Sequence, residues 1–374
     1  MITKPRLLFA SSKNSDMFYG VRTIVPDSCF LLEIDDKRLI FLDKRDIETF
    51  REHDTNKRFE AVSLEKFMAK ADETSSPKSR LARIALAIIR QYLPEKISIE
   101  VPCHFPLDLA DALRSEGIEL EVKNPFYSER SIKKQSEIDA IENAIERTRV
   151  AYKMIEEILI HSTIKDKFIT YKGTVLTSEF LKKEIDMLLL NEGLLNTEGI
   201  VIASGAQAAM PHNSGSGPLL AHEPIICDIF PRDTNTGYFS DMTRTYVKGT
   251  ASESMKKIYE AVKIAQETAI ANIKPGVTGA EIHTLCVNSF LKVGYGVGDT
   301  GFIHNTGHGL GLDLHEGPYL SGVNKEPLVV GNIVTVEPGL YYEKMGSVRI
   351  EDVVVVTETG CRNLTEYPKV LEIM

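Results

Sequence analysis

The chain has 374 residues, 44 basic and 53 acidic, with 43% hydrophobic and 7% aromatic residues, a globular composition that excludes disorder, collagen and coiled coil. At roughly 100 to 200 residues per domain, two or three domains are expected, each large enough for its own core. A net charge of −9 and a pI near 5.6 argue against a surface built to neutralise nucleic-acid phosphates or anionic lipid, so neither a nucleic-acid nor a membrane partner is expected.

The first nine residues carry Lys4 and Arg6 but no apolar core of signal-peptide length, and no later run is long enough to span a bilayer. Five scattered cysteines indicate neither a disulfide framework nor a thiolate zinc site, so a cytoplasmic protein is expected. Apolar runs at 29–34 and 38–42, separated by Asp35-Asp36-Lys37, read as a β-hairpin. Residues 80–92 read as a helix, 96–101 as a strand and 107–113 as a further apolar-periodic segment, which together make a small α/β unit with a weak linker signal at 72–79.

From Ile138 the spacing 138, 141, 145, 148, 152, 155, 159 predicts a long amphipathic helix, with Ser136 and Asp139 as its capping box. The polar stretch 128–135 precedes it and places a domain boundary near 128, giving domains 1–127 and 128–374. Helices are predicted at 178–191, at 254–272 and at 280–293, the last opened by a capping box of Thr278 and Glu281. Strands are predicted at 200–203, 224–230, 238–247, 333–336 and 347–356, so the second part is α+β. Residue matching reveals no internal repeat.

Charges interrupt several of these strands. Asp228 breaks an apolar run, and Asp241 follows thirteen residues later, after a loop that can fold the two strands back and bring the carboxylates together. Two converging anions repel unless a cation or a proton lies between them. Glu337 and Glu351 repeat the anomaly at two more strand ends. An uncompensated buried carboxylate costs several kcal/mol, so each needs an arginine such as Arg244 or Arg349, backbone amides, or a metal. The segment 304–318 adds His304, His308 and His315 within twelve residues, spaced by glycines that let backbone pack closely. Carboxylates with one or two imidazoles suit a hard or borderline divalent metal, and this many anions suit two.

Asp228, the run 237–245 (Gly-Tyr-Phe-Ser-Asp-Met-Thr-Arg-Thr), Thr306-Gly307-His308-Gly309-Leu310-Gly311, Thr335-Val336-Glu337-Pro338-Gly339 and Arg349-Ile350-Glu351-Asp352 occur in an order that resembles the pita-bread metallopeptidases. This is the family of methionine aminopeptidase, aminopeptidase P, prolidase and creatinase, and the resemblance runs from about residue 130 to the end. The first third is similar to the extra domain of prolidase, aminopeptidase P and creatinase, which argues against methionine aminopeptidase.

The resemblance implies an α+β chain with a C-terminal pita-bread catalytic domain and a smaller N-terminal α/β creatinase-like domain. It implies Asp228 as ligand of one metal, Asp241 and Glu351 as bridging ligands, and His308 and Glu337 as ligands of the second, with a metal-bridging hydroxide as nucleophile. His212 and His315 match histidines that hydrogen-bond substrate and oxyanion, and Glu337 matches a proton shuttle. The cofactors implied are two divalent ions, Mn²⁺ first, with Co²⁺, Zn²⁺ and Fe²⁺ compatible. The implied substrates are small peptides with proline at the second position, and the implied assembly is a homodimer. The competing readings are a creatinase-like C–N hydrolase and a pita-bread binding or scaffold protein without catalysis, and retention of all five ligands disfavours both. With no arginine between Tyr319 and Asn332, recognition of a dipeptide's carboxylate falls to Lys325 or Arg349.

Overall fold

The computed structural model describes residues 4–54, 56–74, 76, 78–94 and 98–374. The chain divides into two compact units, Met1–Arg130 and Ser131–Met374. The break falls inside the polar stretch, and Phe126, Tyr127 and Arg130 before it contact side chains of the first unit. Tyr127 packs on Tyr19 with ring centroids 5.3 Å apart, Phe126 and Tyr127 flank the Arg6 guanidinium, and Arg130 donates to Asp16 at 2.7 Å.

The first unit is a six-stranded mixed sheet ordered Glu60–Ser63, Lys37–Leu42, Cys29–Ile34, Arg6–Ala10, Ser98–Pro102, Glu119–Lys123. The expected hairpin lies near its centre. Ile34 pairs with Lys37, and Asp35 adopts φ 52°, a left-handed turn conformation that aspartate tolerates better than most side chains. Helix Arg80–Tyr92 has the expected bounds and is capped by Ser79, whose hydroxyl accepts from the Ala82 N–H at 3.2 Å. Its buried face, with Ala85, Ile88 and Ile89, shares a core with Leu109 and Leu113 of Leu107–Ser115. Residues 96 and 97 of the expected 96–101 strand lie outside the described residues, as do 75 and 77 of the 72–79 linker.

The second unit contains two halves of like design, each a pair of helices packed on a mainly antiparallel sheet. Helix Gln135–Ile160 opens earlier than its periodicity suggests: Glu137, not Asp139, closes the first turn by accepting from the Lys134 backbone N–H at 2.9 Å. With Ser178–Asn191 it packs on the sheet ordered Ile200–Ser204, Ile225–Ile229, Met242–Lys248, Glu372–Ile373. Helices Glu253–Asn272 and Gly279–Lys292, the second opened by the expected Thr278–Glu281 capping box, pack on the sheet ordered Glu316–Leu320, Gly307–Gly309, Ile333–Val336, Asp352–Val356, Cys361–Asn363. The halves share architecture without the residue identities that would expose a repeat. No helix among the described residues is long and apolar enough to cross a membrane.

Two strand expectations need correction. The run 347–356 is two strands, Gly346–Arg349 in a hairpin with Gly339–Tyr342, and Asp352–Val356 in the five-stranded sheet. The chain changes partners at 350–351, where the Glu351 N–H donates to the Thr243 carbonyl at 3.1 Å and so ties one half to the other. The strand expected from 238 begins at Met242, because the Phe239 and Ser240 N–H groups donate to the Gly311 and Pro231 carbonyls instead.

Arg244 is fully buried and joins these parts. It donates to Asp352 at 2.8 Å and to the carbonyls of Glu351, Tyr367 and Pro368 at 2.7, 2.8 and 3.0 Å. It therefore compensates Asp352 and none of the four strand-end carboxylates. Arg244→Met should lower unfolding free energy by about 3–5 kcal/mol in denaturant titrations, because it breaks a buried ion pair on one side only. A loss below about 1 kcal/mol would mean that Lys369, which also reaches Asp352 at 2.9 Å, suffices alone.

Candidate metal centre and active site

The first carboxylates come from the predicted hairpin. Ile225–Ile229 and Met242–Lys248 pair antiparallel with Asp228 opposite Thr243, and Asp241 lies one residue before the second strand. The other half supplies three more groups from its sheet. His308 is on Gly307–Gly309, Glu337 follows Ile333–Val336, and Glu351 precedes Asp352–Val356. The glycines beside His308 are required by close approach. A Cβ on Gly307 would lie 2.0 Å from the Thr335 carbonyl oxygen, and one on Gly309 2.4 Å from that of Gly317.

The five predicted ligands line one cleft of about 450 Å³. Single ligand atoms of Asp241, His308 and Glu351 lie within 4.8 Å of one another. The His308 Nδ1–H donates to the Gly309 carbonyl at 3.2 Å, which turns Nε2 toward Glu337 at 3.1 Å and Asp241 at 3.7 Å. Thr243 donates to Glu351 Oε2 at 2.8 Å and Thr335 donates to Glu337 at 3.2 Å. Asp228 Oδ2 accepts from Arg349 at 2.6 Å. Two oxygens, Asp228 Oδ1 and Glu351 Oε1, are buried with no hydrogen-bond partner. Buried carboxylate oxygens left open beside an imidazole fit a divalent cation, the group that would satisfy both.

The electrostatics agree. Burial, and then the neighbouring carboxylates, push Asp241 and Glu351 well above the usual carboxyl range, while Asp228 is raised by burial against the pull of Arg349. Burial also acts to raise Glu337, but its hydrogen bond to His308 and the charges of His308, His304 and Arg349 outweigh it and pull it down to about 2. Burial disfavours the His308 imidazolium, yet Glu337 and Asp241 lift it to about 9.

His212 and His315 both line the cleft and are exposed. The His315 ring meets His308 edge-on, centroids 4.3 Å apart. His222 and His283 have packing roles, bonded to Thr250 and Thr306. His304, by contrast, belongs to the site rather than to the background. Its Nδ1–H donates to the Asn305 carbonyl at 2.7 Å, so Nε2 accepts from the Tyr341 hydroxyl at 2.9 Å, which in turn accepts from Arg349 at 2.9 Å. His304 stands in the histidine-rich run, but neither its bond to Tyr341 nor that of Tyr341 to Arg349 had a sequence signal, because these contacts join residues 37 and 8 positions apart. Arg349 also lines the cleft, with its guanidinium bonded to Asp228 and Tyr341, which fixes the direction of the Asp228 carboxylate. Lys325 is exposed and is not among the residues that line the cleft.

Oxygen-rich ligands with one imidazole, gathered between two helix-backed sheets, define a candidate divalent-metal centre. Residues 139–358 match Metallopeptidase family M24. The chain is 35% identical over 246 residues to the uncharacterized peptidase YqhT of Bacillus subtilis, a match covering 66% of this chain and 65% of that protein. It is 32% identical over 274 residues to an Xaa-Pro dipeptidase of Pyrococcus horikoshii, covering 70% of this chain and 76% of the relative. The solved structure of an Xaa-Pro dipeptidase from Bacillus anthracis superposes with a TM-score of 0.81 at 25% identity, covering 99% of this chain and 95% of that one. The chain belongs to metallopeptidase family M24, and its architecture is the α+β two-domain pita-bread fold.

A pH dependence follows for the chain stripped of divalent ions. His308, raised to about 9, contributes stability that is complete below its ordinary value of 6.5 and is lost as pH rises through 9. Asp241 and Glu351, also raised, act in the same direction: their protonated forms stabilise the fold at low pH, and their ionisation erodes it as pH rises. The denaturation midpoint of stripped protein should therefore fall between pH 6.5 and 9, and saturating divalent ion should remove most of that slope. A stripped protein equally stable across this window would contradict the crowding of charge described here.

Proposed function

We propose that this chain is a dinuclear-metal peptidase that hydrolyses Xaa-Pro bonds at peptide N-termini. The observation that carries the reading is the convergence of Asp228, Asp241, His308, Glu337 and Glu351 on one cleft, with two buried carboxylate oxygens left open. Four carboxylates against one imidazole support two divalent ions, which Asp228, Asp241, His308, Glu337 and Glu351 would hold, Asp241 and Glu351 in common. Mn²⁺ is the metal proposed first, since oxygen ligands dominate the set.

When bound, the ions supply Lewis acidity that activates water and polarises the scissile carbonyl. The chain's own residues orient and move protons. Glu337, kept ionised beside His308, accepts a proton from the attacking water and returns it to the leaving nitrogen. His212 and His315 present ring N–H groups from the cleft lining to the substrate and the developing oxyanion. Arg349 holds Asp228 in place.

Proline at the second position makes the scissile bond a tertiary amide without an N–H, so the site need supply no acceptor there. Ile200, Val201, Phe230 and Leu314 provide an apolar lining for the ring. The guanidinium of Arg349 is committed to Asp228 and Tyr341, which supports acceptance of longer peptides alongside dipeptides. Every residue lining the cleft falls between Glu198 and Glu351, which supports catalysis by the 128–374 domain with 1–127 as an accessory domain. Five free cysteines support a cytoplasmic location. A homodimer completes the reading, with sedimentation as its measurement.

Chelation should abolish cleavage of Xaa-Pro peptides and Mn²⁺ or Co²⁺ should restore it. Asp241→Asn and Glu351→Gln should each lower kcat/KM by about 10³-fold or more, several kcal/mol of lost transition-state stabilisation. Full activity in either variant, or faster cleavage of Xaa-Ala than of Xaa-Pro, would sink the proposal.

A further inference from the structure

Helix Glu253–Asn272 shares a core with Val334 and Val336 of the five-stranded sheet, and a polar amide stands in its buried face. Buried positions recur at Ile258, Val262, Gln266 and Ala269, the spacing of a helical stripe in which an aliphatic residue would be expected at 266. Gln266 is 0% exposed. Its Nε2 donates to the Val336 carbonyl at 3.2 Å, while its Oε1 is buried with no hydrogen-bond partner among the described residues. An amide buried with one group unmet carries a desolvation cost that leucine or methionine of similar volume would not.

The Val336 carbonyl belongs to the peptide that joins strand Ile333–Val336 to Glu337. The other end of that peptide is held as well. The Glu337 N–H donates to the Thr306 carbonyl at 2.8 Å, and the Thr306 N–H in turn donates to the Leu320 carbonyl at 2.9 Å. The peptide plane contains the Glu337 Cα, and Pro338 confines Glu337 to extended backbone, so bonds to both the C=O and the N–H leave the side chain little freedom of direction. Beyond Glu337 the chain offers no second handle of this kind, because Pro338 has no N–H. The direction matters, since the Glu337 carboxylate accepts from Thr335 at 3.2 Å and lies 3.1 Å from His308 Nε2.

We propose that Gln266 is a positioning residue for Glu337, acting through the Val336–Glu337 peptide. A small rotation of that plane is amplified along the side chain and shifts the carboxylate against the other groups of the cleft. The inference rests on the reading of Glu337 as a metal ligand and proton carrier. A packing role predicts the opposite balance, because an aliphatic side chain at 266 would serve the core at least as well.

Gln266→Leu separates the two roles. In protein stripped of divalent ions its thermal midpoint should stay within about 3 °C of wild type, since the unmet oxygen is lost together with the bond. Titration with Mn²⁺ should nevertheless show affinity lowered by about 10-fold or more, and kcat for an Xaa-Pro tripeptide should fall by about 10- to 100-fold with KM within about threefold, the scale of a lost partner behind a metal ligand. In a Glu337→Ala background, Gln266→Leu should change Mn²⁺ affinity by less than about twofold, because the group it positions is gone. Affinity unchanged in Gln266→Leu, or lowered equally with and without the Glu337 side chain, would overturn the proposal. The affinity cycle requires no turnover, so a wild-type chain that binds Mn²⁺ and cleaves no peptide rejects the peptidase reading and leaves the cycle decisive for Gln266. A wild-type chain that binds no Mn²⁺ rejects both. Gln266→Met, which keeps the length of the side chain, carries the same test if the leucine variant fails to fold. A midpoint lowered by more than about 3 °C in both variants would assign Gln266 to the core alone and likewise overturn the proposal.

Discussion

The fold of the catalytic unit is organised round a repulsion. Asp228, Asp241, Glu337 and Glu351 are delivered to one cleft, three of them shifted upward chiefly by burial, and in each of those three neighbouring carboxylates add to the rise. Two unit charges 4 Å apart repel by about 4 kcal/mol at an effective dielectric of 20, and one imidazolium offsets only part of the sum. Such a cluster is tolerated only if something positive occupies its centre or protons neutralise it. Most of the surrounding detail leaves room for the first solution. Thr243, Thr335 and Arg349 each satisfy one carboxylate oxygen and fix its direction, while Asp228 Oδ1 and Glu351 Oε1 stay open.

Holding repelling groups together demands rigid supports, and the two halves of the unit provide them. The five clustered side chains lie on or next to strands backed by helix pairs, each half with its own core, rather than on long loops. The backbone bond between Glu351 and Thr243 and the buried Arg244 connect the halves where the carboxylates converge. Displacing one of these groups by an ångström therefore requires moving a packed strand, which costs far more than rotating a surface side chain.

The same logic explains the side chains that surround the ligands. Arg349 resembles a substrate clamp when read in isolation, yet its guanidinium is committed to Asp228 and Tyr341, and through Tyr341 to His304. Orientation of ligating and hydrogen-bonding groups by buried partners is what keeps such a centre in one geometry.

The sequence by itself determined which residues are anomalous and in what order they come. Asp228, Asp241, Glu337 and Glu351 stand out because a carboxylate at the edge of an apolar strand is costly, and His308 stands out because glycines flank it; these are local signals, readable from a few neighbours. Helix Arg80–Tyr92, the Asp35-Asp36 turn and the Thr278–Glu281 capping box were legible for the same reason. Strands Gly307–Gly309 and Glu316–Leu320 were not, since glycine- and histidine-rich segments lack alternation, and neither was the break at 350–351, which exists only because the chain changes sheets there. Only the tertiary structure decided that Arg244 serves Asp352, that Arg349 serves Asp228, that His304 joins the site and that Lys133 meets Glu316. A buried charge chooses its partner by proximity in space, and between residues 37 to 183 positions apart, proximity is set by the packing of helices on sheets rather than by any pattern along the chain.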